Sequence, residues 1–350
     1  MNKTMKAAIL EGLNKISVKD IPIPLVSDDD VLIKVDSCSI CGSDLRIIAT
    51  ENKRLNPGSI MGHEIAGTIV NSGKNYRDKF KVGAKVALSA DIPCGSCYWC
   101  RLGPSNNCEN NIAFGHEYAG GFAEYLILNK RILDHGPVVV LNESDITQDV
   151  FCLSEPLACC INGLEKIDVK KDSTVLIFGA GPIGCIFTML CKNSGAKVAL
   201  CDLDEERISA SKISNADEYL AFSEHSISAT VERMTEGRGF DVIIIACPSK
   251  DAQEMSLSHI KNKGTVLFFG GLPQNAGSIN FDSNKVHYKE IIVIGAHGST
   301  PAQHRRAVDM ISSGKIILDK LVSKKFSLSE FNIALEEAKK KSNLKIIINP

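Results

Sequence analysis

Residues Thr174 to Gly184 read Thr-Val-Leu-Ile-Phe-Gly-Ala-Gly-Pro-Ile-Gly. The apolar run Thr174–Gly179 predicts a short strand, and the spacing of apolar residues after it predicts a helix over Pro182–Asn193. The Gly-x-Gly-x-x-Gly pattern that joins them follows a strand and opens a helix. This is the context in which the pattern binds a dinucleotide.

Each glycine of this loop has a physical reason to be a glycine. Gly179 permits the tight turn, Gly181 lets the backbone approach a pyrophosphate, and Gly184 allows the helix to pack closely on the sheet. Pro182 suits the first helical turn because its missing N–H is not needed there. The plainer alternative is a strand-to-helix turn whose glycines serve packing alone.

An acidic residue ends the next predicted strand, Lys197–Asp202. Asp202 lies 18 residues after Gly184, where a carboxylate can accept hydrogen bonds from both ribose hydroxyls and would repel a 2′-phosphate. No Lys or Arg follows it before Arg207, so the sequence favours NAD over NADP. The candidate dinucleotide-binding residues are Gly179, Gly181, Pro182, Ile183, Gly184, Asp202 and Arg207.

Strands and helices alternate through the middle of the chain. Further helices are predicted over Asp204–Ile213 and Gln253–Ile260, and further strands over Asp241–Ala246, Thr265–Phe269 and Ile291–Gly295. This alternation predicts an α/β unit with a parallel, doubly wound sheet. Residues 1 to about 155 instead hold short strand-like runs separated by Gly, Pro, Asn and Asp, which predicts an irregular β-barrel-like domain.

Composition limits the classes of function. The chain has 40 Lys and Arg against 41 Asp and Glu and no basic run, so it lacks the electrostatic footprint of a nucleic-acid-binding protein. Apolar runs such as Val242–Cys247 are too short to cross a bilayer, and Met1–Leu10 has no signal-peptide core. Thirteen cysteines without a secretion signal predict a cytoplasmic location, where clustered cysteines more often bind metal than form disulfides.

Four cysteines lie within fifteen residues, at Cys94, Cys97, Cys100 and Cys108. Their spacing predicts a closed four-thiolate zinc site in a lobe over residues 91 to 110. A closed site has no open coordination position, so we expect this zinc to be structural.

Three further fragments hold candidate ligands for a second metal. Cys-Gly-Ser-Asp begins at Cys41, His63-Glu64 follows a glycine, and Glu155 precedes a proline. Cys41, His63 and one carboxylate would give zinc a mixed sulfur, nitrogen and oxygen set with one exchangeable position, which is typical of catalytic zinc. None of these fragments is specific alone, and the interpretation depends on their occurrence with the four-cysteine lobe and the dinucleotide loop.

In this order the fragments resemble the zinc-containing medium-chain alcohol dehydrogenase family, and within it the sorbitol or polyol branch, which includes polyol-phosphate dehydrogenases. The resemblance covers nearly the whole chain and extends to Gly-Gly-Phe-Ala-Glu-Tyr at Gly120–Tyr125 and Glu-Pro-Leu at Glu155–Leu157. It implies a GroES-like catalytic domain of residues 1–155 and 297–350, with a Rossmann NAD-binding domain of residues 156–296 between them. It also implies a cleft between the domains where zinc, substrate and nicotinamide meet.

The resemblance assigns roles to the candidate residues. Cys41 and His63 would be zinc ligands, and the carboxylate ligand would be Glu155, Glu64 or each in turn. Asp44 would orient the zinc-binding histidine, as carboxylates behind a ligand often do.

Ser43 would accept or relay the alcohol proton. Arg46 and Ile47 occupy the region where other members carry a histidine that passes this proton to solvent.

We therefore expect a zinc-dependent oxidoreductase that transfers a hydride between NAD and a polyol or other secondary alcohol. Sugar-alcohol phosphates are among the candidate substrates. The resemblance implies one catalytic and one structural zinc per subunit, and a homodimer or homotetramer. We expect no nucleic-acid or membrane partner. The alternatives are an L-threonine or butanediol dehydrogenase of the same superfamily, a non-catalytic NAD-binding sensor, and a zinc-ribbon nucleic-acid binder. The intact zinc-ligand set argues against the sensor, and the near-neutral charge argues against the nucleic-acid binder.

Overall fold

The chain divides into two units in the computed structural model, which describes residues 4–50, 57–142, 145–273 and 276–350. The first unit comprises Met1–Cys159 and Gly298–Pro350, and the second comprises Cys160–His297. Within the described ranges, no helix is both long enough and apolar enough to cross a membrane.

The N-terminal part of the first unit consists mostly of strands. These are β1 (Thr4–Gly12), β2 (Lys15–Pro22), β3 (Val31–Ser39), β4 (Glu64–Ser72), β5 (Lys85–Leu88), β6 (Asp91–Ile92), β7 (Ile112–Ala113), β8 (Tyr125–Leu128) and β9 (Val138–Val140). The helices are α1 (Gly42–Ala49), α2 (Tyr98–Leu102), α3 (Lys130–His135), α4 (Gln148–Phe151) and α5 (Ser154–Leu164), the last of which continues past the unit boundary at Cys159. A short 3-10 helix lies at Ser105–Asn107.

The second unit alternates strands and helices as its sequence predicts. Its strands are β10 (Thr174–Phe178), β11 (Lys197–Asp202), β12 (Glu218–Ala221), β13 (Phe240–Ile245), β14 (Ile260–Phe268) and β15 (Ile292–Gly295). Its helices are α6 (Pro182–Asn193), α7 (Glu205–Ser211), α8 (Glu224–Thr235), α9 (Lys250–His259) and α10 (Ser283–Tyr288), with a 3-10 turn at Lys212–Ser214.

The six strands of the second unit form one parallel sheet in the order β12-β11-β10-β13-β14-β15. The central strands, such as the Val-Leu-Ile-Phe of β10 and the Val-Ile-Ile-Ile of β13, are apolar without alternation because helices cover both faces of such a sheet. This order is that of a doubly wound dinucleotide-binding fold, whose ligands bind beyond the carboxyl ends of the strands. The predicted parallel, doubly wound sheet is confirmed.

The chain then returns to the first unit. It forms α11 (Pro301–Ser312), β16 (Val322–Ser327), α12 (Phe331–Lys339) and β17 (Lys345–Asn349), with 3-10 turns at Asp319–Leu321 and Leu328–Glu330. Strand β17 pairs with β3, so the sheet of the first unit runs β16-β17-β3-β4-β5-β9, and β8 also pairs with β3.

The pairing of β3 brings distant parts of the chain to one point. Ser39, at the end of β3, stands opposite Glu64 on β4 and opposite Ile347 on β17. Helix α1 starts shortly after Ser39. The end of β3 therefore gathers Cys41, the start of β4 and the start of β17 in one place.

Candidate metal centres and dinucleotide loop

Asp44 connects the first two candidate ligands. Helix α1 begins directly after Cys41, whose N–H donates to Asp44 Oδ2 at 2.9 Å. The other oxygen, Oδ1, lies 3.4 Å from His63 Nδ1, and Asp44 is fully buried. One carboxylate therefore fixes the start of the helix and faces the histidine ring, leaving His63 Nε2 for a ligand.

His63 owes its position to the glycine before it. Gly62 has a φ of +93°, and a Cβ there would press on Cys38 Sγ and the Phe122 ring. His63 Nε2 lies 3.5 Å from Ser43 Oγ, at the end of the ring opposite Asp44. Ser43 is half-buried.

Cys41, His63 and Glu64 form the first of two metal-compatible groups among the described residues. One ligand atom from each lies within 4.8 Å of those of the other two. Burial works to lower the pKa of His63, but the Asp44 carboxylate outweighs it and raises that pKa. A thiol, an imidazole and several buried carboxylates make a donor set that suits a divalent zinc ion.

Lys345 holds Glu64 in a buried ion pair that the sequence did not reveal. Its ammonium group contacts both carboxylate oxygens, with Oε2 at 2.6 Å from Nζ. Glu64 is fully buried and Lys345 is 3% exposed. The only sequence signal was a lysine at the start of an otherwise apolar strand, and a lysine in that position usually faces solvent.

Glu155 lies near this group but outside its 4.8 Å limit. Burial raises the pKa of Glu155 to about 7; the charge of His63 opposes this and that of Glu64 adds to it. One turn later in α5, the Cys159 thiol donates to Glu155 Oε1 at 3.4 Å. The two predicted carboxylates thus differ in their partners: Glu64 pairs with the Lys345 ammonium group, and Glu155 accepts a hydrogen bond from the Cys159 thiol.

The four lobe cysteines converge. Cys97 Sγ lies 3.5 Å from Cys100 Sγ and 3.7 Å from Cys108 Sγ, and Cys94 Sγ lies 4.0 Å from Cys100 Sγ. Zinc–sulfur bonds of about 2.3 Å imply sulfur–sulfur edges of roughly 3.8 Å in a tetrahedron. Backbone N–H groups of Ser96 and Cys97 lower the pKa of Cys94 to about 5, which favours its thiolate. The lobe therefore fits one tetrahedral zinc ion.

The glycine loop has the shape that its sequence predicts. Gly181 caps α6 and Pro182 opens it. A Cβ on Gly184 would overlap the Gly179 carbonyl oxygen, whereas a Cβ on Gly181 would meet no atom within 4 Å. The loop thus packs closely at Gly184 and is open at Gly181, where the backbone would approach a diphosphate.

Asp202 stands at the end of β11, beside this loop. Its Oδ2 accepts the Ala180 N–H at 2.8 Å, and its Oδ1 accepts the Asp204 N–H at 3.1 Å. The cap of α7 is Asp204, which accepts the Arg207 N–H at 2.9 Å. Burial lowers the pKa of the Arg207 guanidinium, and the Asp202 carboxylate opposes this. Asp202 is therefore bonded to the glycine loop, and Arg207 lies close enough for the Asp202 carboxylate to act on its charge.

Comparison with known proteins gives concordant matches. The alcohol dehydrogenase GroES-like domain matches residues 27–137, and the zinc-binding dehydrogenase domain matches residues 182–313. D-arabinitol dehydrogenase 1 of Uromyces fabae is 31% identical over 350 residues, covering 99% of this chain and 97% of that protein. D-arabitol-phosphate dehydrogenase of Enterococcus avium is 28% identical, covering 99% of this chain and 98% of that protein.

A solved structure agrees over the same length. A zinc-binding dehydrogenase from Sinorhizobium meliloti 1021, determined with NADP bound, superposes with a TM-score of 0.89 at 29% identity. The match covers 99% of this chain and all of that one.

Proposed function

This chain belongs to the zinc-dependent medium-chain alcohol dehydrogenase family, and we propose that it oxidises a polyol at a secondary carbinol by hydride transfer to NAD. Family membership makes the protein an oxidoreductase that uses zinc and a nicotinamide dinucleotide, and it confirms the predicted GroES-like and Rossmann folds. The polyol substrate is supported by the relatives that act on D-arabinitol and D-arabitol phosphate. The observation that carries the proposal is the meeting of Cys41 and His63 with buried carboxylates in a chain that also holds a dinucleotide loop.

Cys41 and His63 would hold the catalytic zinc, with a carboxylate as third ligand. Glu155 is the better candidate for a lasting ligand, because both oxygens of Glu64 are held by Lys345. When bound, zinc would withdraw electron density from the substrate oxygen, and the nicotinamide would accept the hydride.

The other residues of this group position atoms and move a proton. Asp44 holds the N–H of Cys41 and faces His63 Nδ1, so that Nε2 points toward the ligand position. Ser43, 3.5 Å from that nitrogen, would accept the proton of the substrate hydroxyl and pass it on. Since α1 has no histidine after Ser43, this proton must leave by another route.

The first unit would be the catalytic domain and the second the dinucleotide-binding domain. Gly179, Gly181, Pro182, Ile183 and Gly184 would receive the pyrophosphate. Cys94, Cys97, Cys100 and Cys108 would hold a second, structural zinc.

Asp202 supports NAD as the preferred cofactor, because its carboxylate would repel a 2′-phosphate. We expect Asp202→Asn to raise the ratio of kcat/KM with NADP to that with NAD by about tenfold, since one unfavourable charge is removed while an amide oxygen still accepts the Ala180 N–H. An unchanged ratio in a protein that still binds the dinucleotide would rule out this role.

None of the thirteen cysteines forms a disulfide within the described residues, which supports a cytoplasmic location, and family resemblance supports a homodimer or homotetramer. Light scattering of the purified protein would give the subunit number, and fractionation of the source cell would give the location.

The direct experiment is a screen of NAD and NADP reduction over polyols, polyol phosphates, diols and L-threonine, with and without a chelator. We expect oxidation of at least one polyol, loss of activity with the chelator, and recovery with added zinc.

Cys41→Ser should abolish turnover and leave dinucleotide binding intact. Cys152→Ser is the control, because it makes the same substitution at a cysteine of the same unit that lies outside the ligand group. Near-full activity of folded Cys41→Ser would disprove the site, and oxidation of L-threonine alone would disprove the substrate class.

A further inference from the structure

The four-cysteine lobe joins the rest of the first unit through a narrow neck. Strands β6 and β7 pair there, and Ile92 stands opposite Ile112. Beyond this pair the chain leaves through Pro93 and returns through Asn110. We call Ile92, Pro93 and Asn110 the neck of the lobe. The first of the four cysteines follows the neck directly and the last precedes it by two residues, so the neck sets where both enter the site.

One side chain from outside the lobe bonds to both ends of the neck. Nε of Arg131 donates to the Pro93 carbonyl oxygen at 3.2 Å, and Nη2 donates to the Ile92 carbonyl oxygen at 2.8 Å. Nη2 also donates to the Asn110 carbonyl oxygen. Because a planar guanidinium holds its donors in a fixed arrangement, Arg131 joins the outgoing segment of the lobe to the returning one.

Helix α3 gives Arg131 a fixed base. The next two residues, Ile132 and Leu133, are buried in the core of the first unit. His135, one turn after Arg131, lies against the lobe, since a Cβ on Gly95 would stand 2.5 to 2.6 Å from three atoms of the His135 ring. The helix therefore contacts the lobe at its neck and again at the residue after the first cysteine.

A neck that is held in place makes zinc binding less costly. Four thiolates must meet around one ion, and ordering the chain that carries them costs conformational entropy. Preorganisation of a binding site reduces this cost. The Cys94 N–H donates to Cys108 Sγ at 3.2 Å, so the two cysteines nearest the neck already meet. The bonds from Arg131 lie directly behind this contact.

We propose that Arg131 is a positioning residue for the structural zinc, which holds both ends of the neck and so raises the zinc affinity of the four cysteines. This inference rests on the structural zinc of the proposed function and deepens it. Replacing residues that support metal ligands typically weakens metal binding by about 10–100-fold. Because Arg131 acts through backbone carbonyls and not on the sulfur atoms, we expect an effect of about tenfold.

The test measures zinc binding to the lobe by competition with a chromogenic zinc chelator, followed by the fluorescence of Trp99, which lies between two of the cysteines. Arg131→Met removes all three hydrogen bonds and should weaken zinc binding there by about tenfold. Arg131→Lys keeps the charge without the fork of donors and should recover only part of this affinity; it also serves as the test if Arg131→Met does not fold. Lys130→Met is the matched control, because this neighbouring cation bonds to Asp134 and Tyr76, outside the lobe.

Melting temperatures measured with zinc and after chelation separate a role in zinc binding from a general effect on folding. We expect Arg131→Met to lower the melting temperature more with zinc than without it. Equal decreases in the two states, unchanged zinc affinity, or full affinity in Arg131→Lys would overturn the role of Arg131 and leave the proposed function standing. A wild-type protein that binds no zinc at the four cysteines would overturn the structural zinc and this inference together, and oxidation of a polyol would still test the catalytic proposal.

Discussion

Replacing Lys345 by Met should destabilise the first unit severely. The substitution leaves Glu64 fully buried with no cation on its two oxygens. Removing one partner of a buried pair costs about 3–5 kcal/mol of the free energy of unfolding. For a unit of this size, each kcal/mol lowers the melting temperature by about 2–4 °C, so we expect a decrease of roughly 6 to 20 °C.

The assay is thermal and urea unfolding followed by the fluorescence of Trp99, the sole tryptophan, which lies in the first unit. The double variant Lys345→Met with Glu64→Gln should recover much of the loss, because no unpaired charge then stays buried. Both proteins are measured with saturating zinc and again without zinc, so that a change in metal affinity is separated from the effect of the buried pair.

Lys324→Met is the matched control. Lys324 stands next to β17 on β16 and pairs with Glu337 at 2.7 Å, but its side chain is 48% exposed. Exposed pairs contribute little to stability. If Lys345→Met lowered the melting temperature no more than Lys324→Met, burial of the pair would not be the source of its importance.

Three further predictions concern the other parts of the molecule. Cys97→Ser should lower the melting temperature and leave kcat of the folded, zinc-replete enzyme nearly unchanged, because a closed zinc site contributes folding energy. Loss of kcat without loss of stability would contradict this. Gly184→Ala should prevent dinucleotide binding or folding of the second unit, since its Cβ overlaps a carbonyl oxygen, whereas Gly271→Ala, with no atom within 4 Å of the added Cβ, should do neither. Burial lowers the pKa of His304 to about 3, so the unfolded chain binds a proton there that the folded chain does not, and stability should fall as pH falls from about 6.5 toward 3. His304→Gln should reduce this slope by about 1.4 kcal/mol per pH unit in urea unfolding at several pH values, and an unchanged slope would refute the assignment.

Local patterns predicted those parts of the fold in which neighbouring residues carry the information. The helix over Pro182–Asn193 and the strand Lys197–Asp202 coincide with α6 and β11. Apolar periodicity failed where little is buried. Strand β12 and helix α8 were not predicted, and α8 buries only Ile227, Thr230 and Thr235 along its length.

The sequence allowed the candidate metal ligands to be predicted, but not the residues that contact and position those ligands. Cysteine spacing and short motifs identified the residues that could bind zinc. The ammonium group that pairs with Glu64 belongs to Lys345, 281 positions along the chain. The aromatic ring beside His63 belongs to His116, in the connection between β7 and β8. These contacts depend on the pairing of β17 with β3 and on backbone hydrogen bonds between residues 120–122 and residues 60–62. Patterns within a single sequence do not show which distant segments pair.

The position of β17 also sets the order in which the protein can form on the ribosome. The whole second unit, residues 160 to 297, is synthesised before the strand that completes the sheet of the first unit. Domains generally fold as units during synthesis, so the second unit can fold before β17 is available to pair with β3. Until Lys345 emerges, the nascent first unit exposes an unpaired strand edge and an uncompensated carboxylate, and this is the stage at which a chaperone would have most to protect.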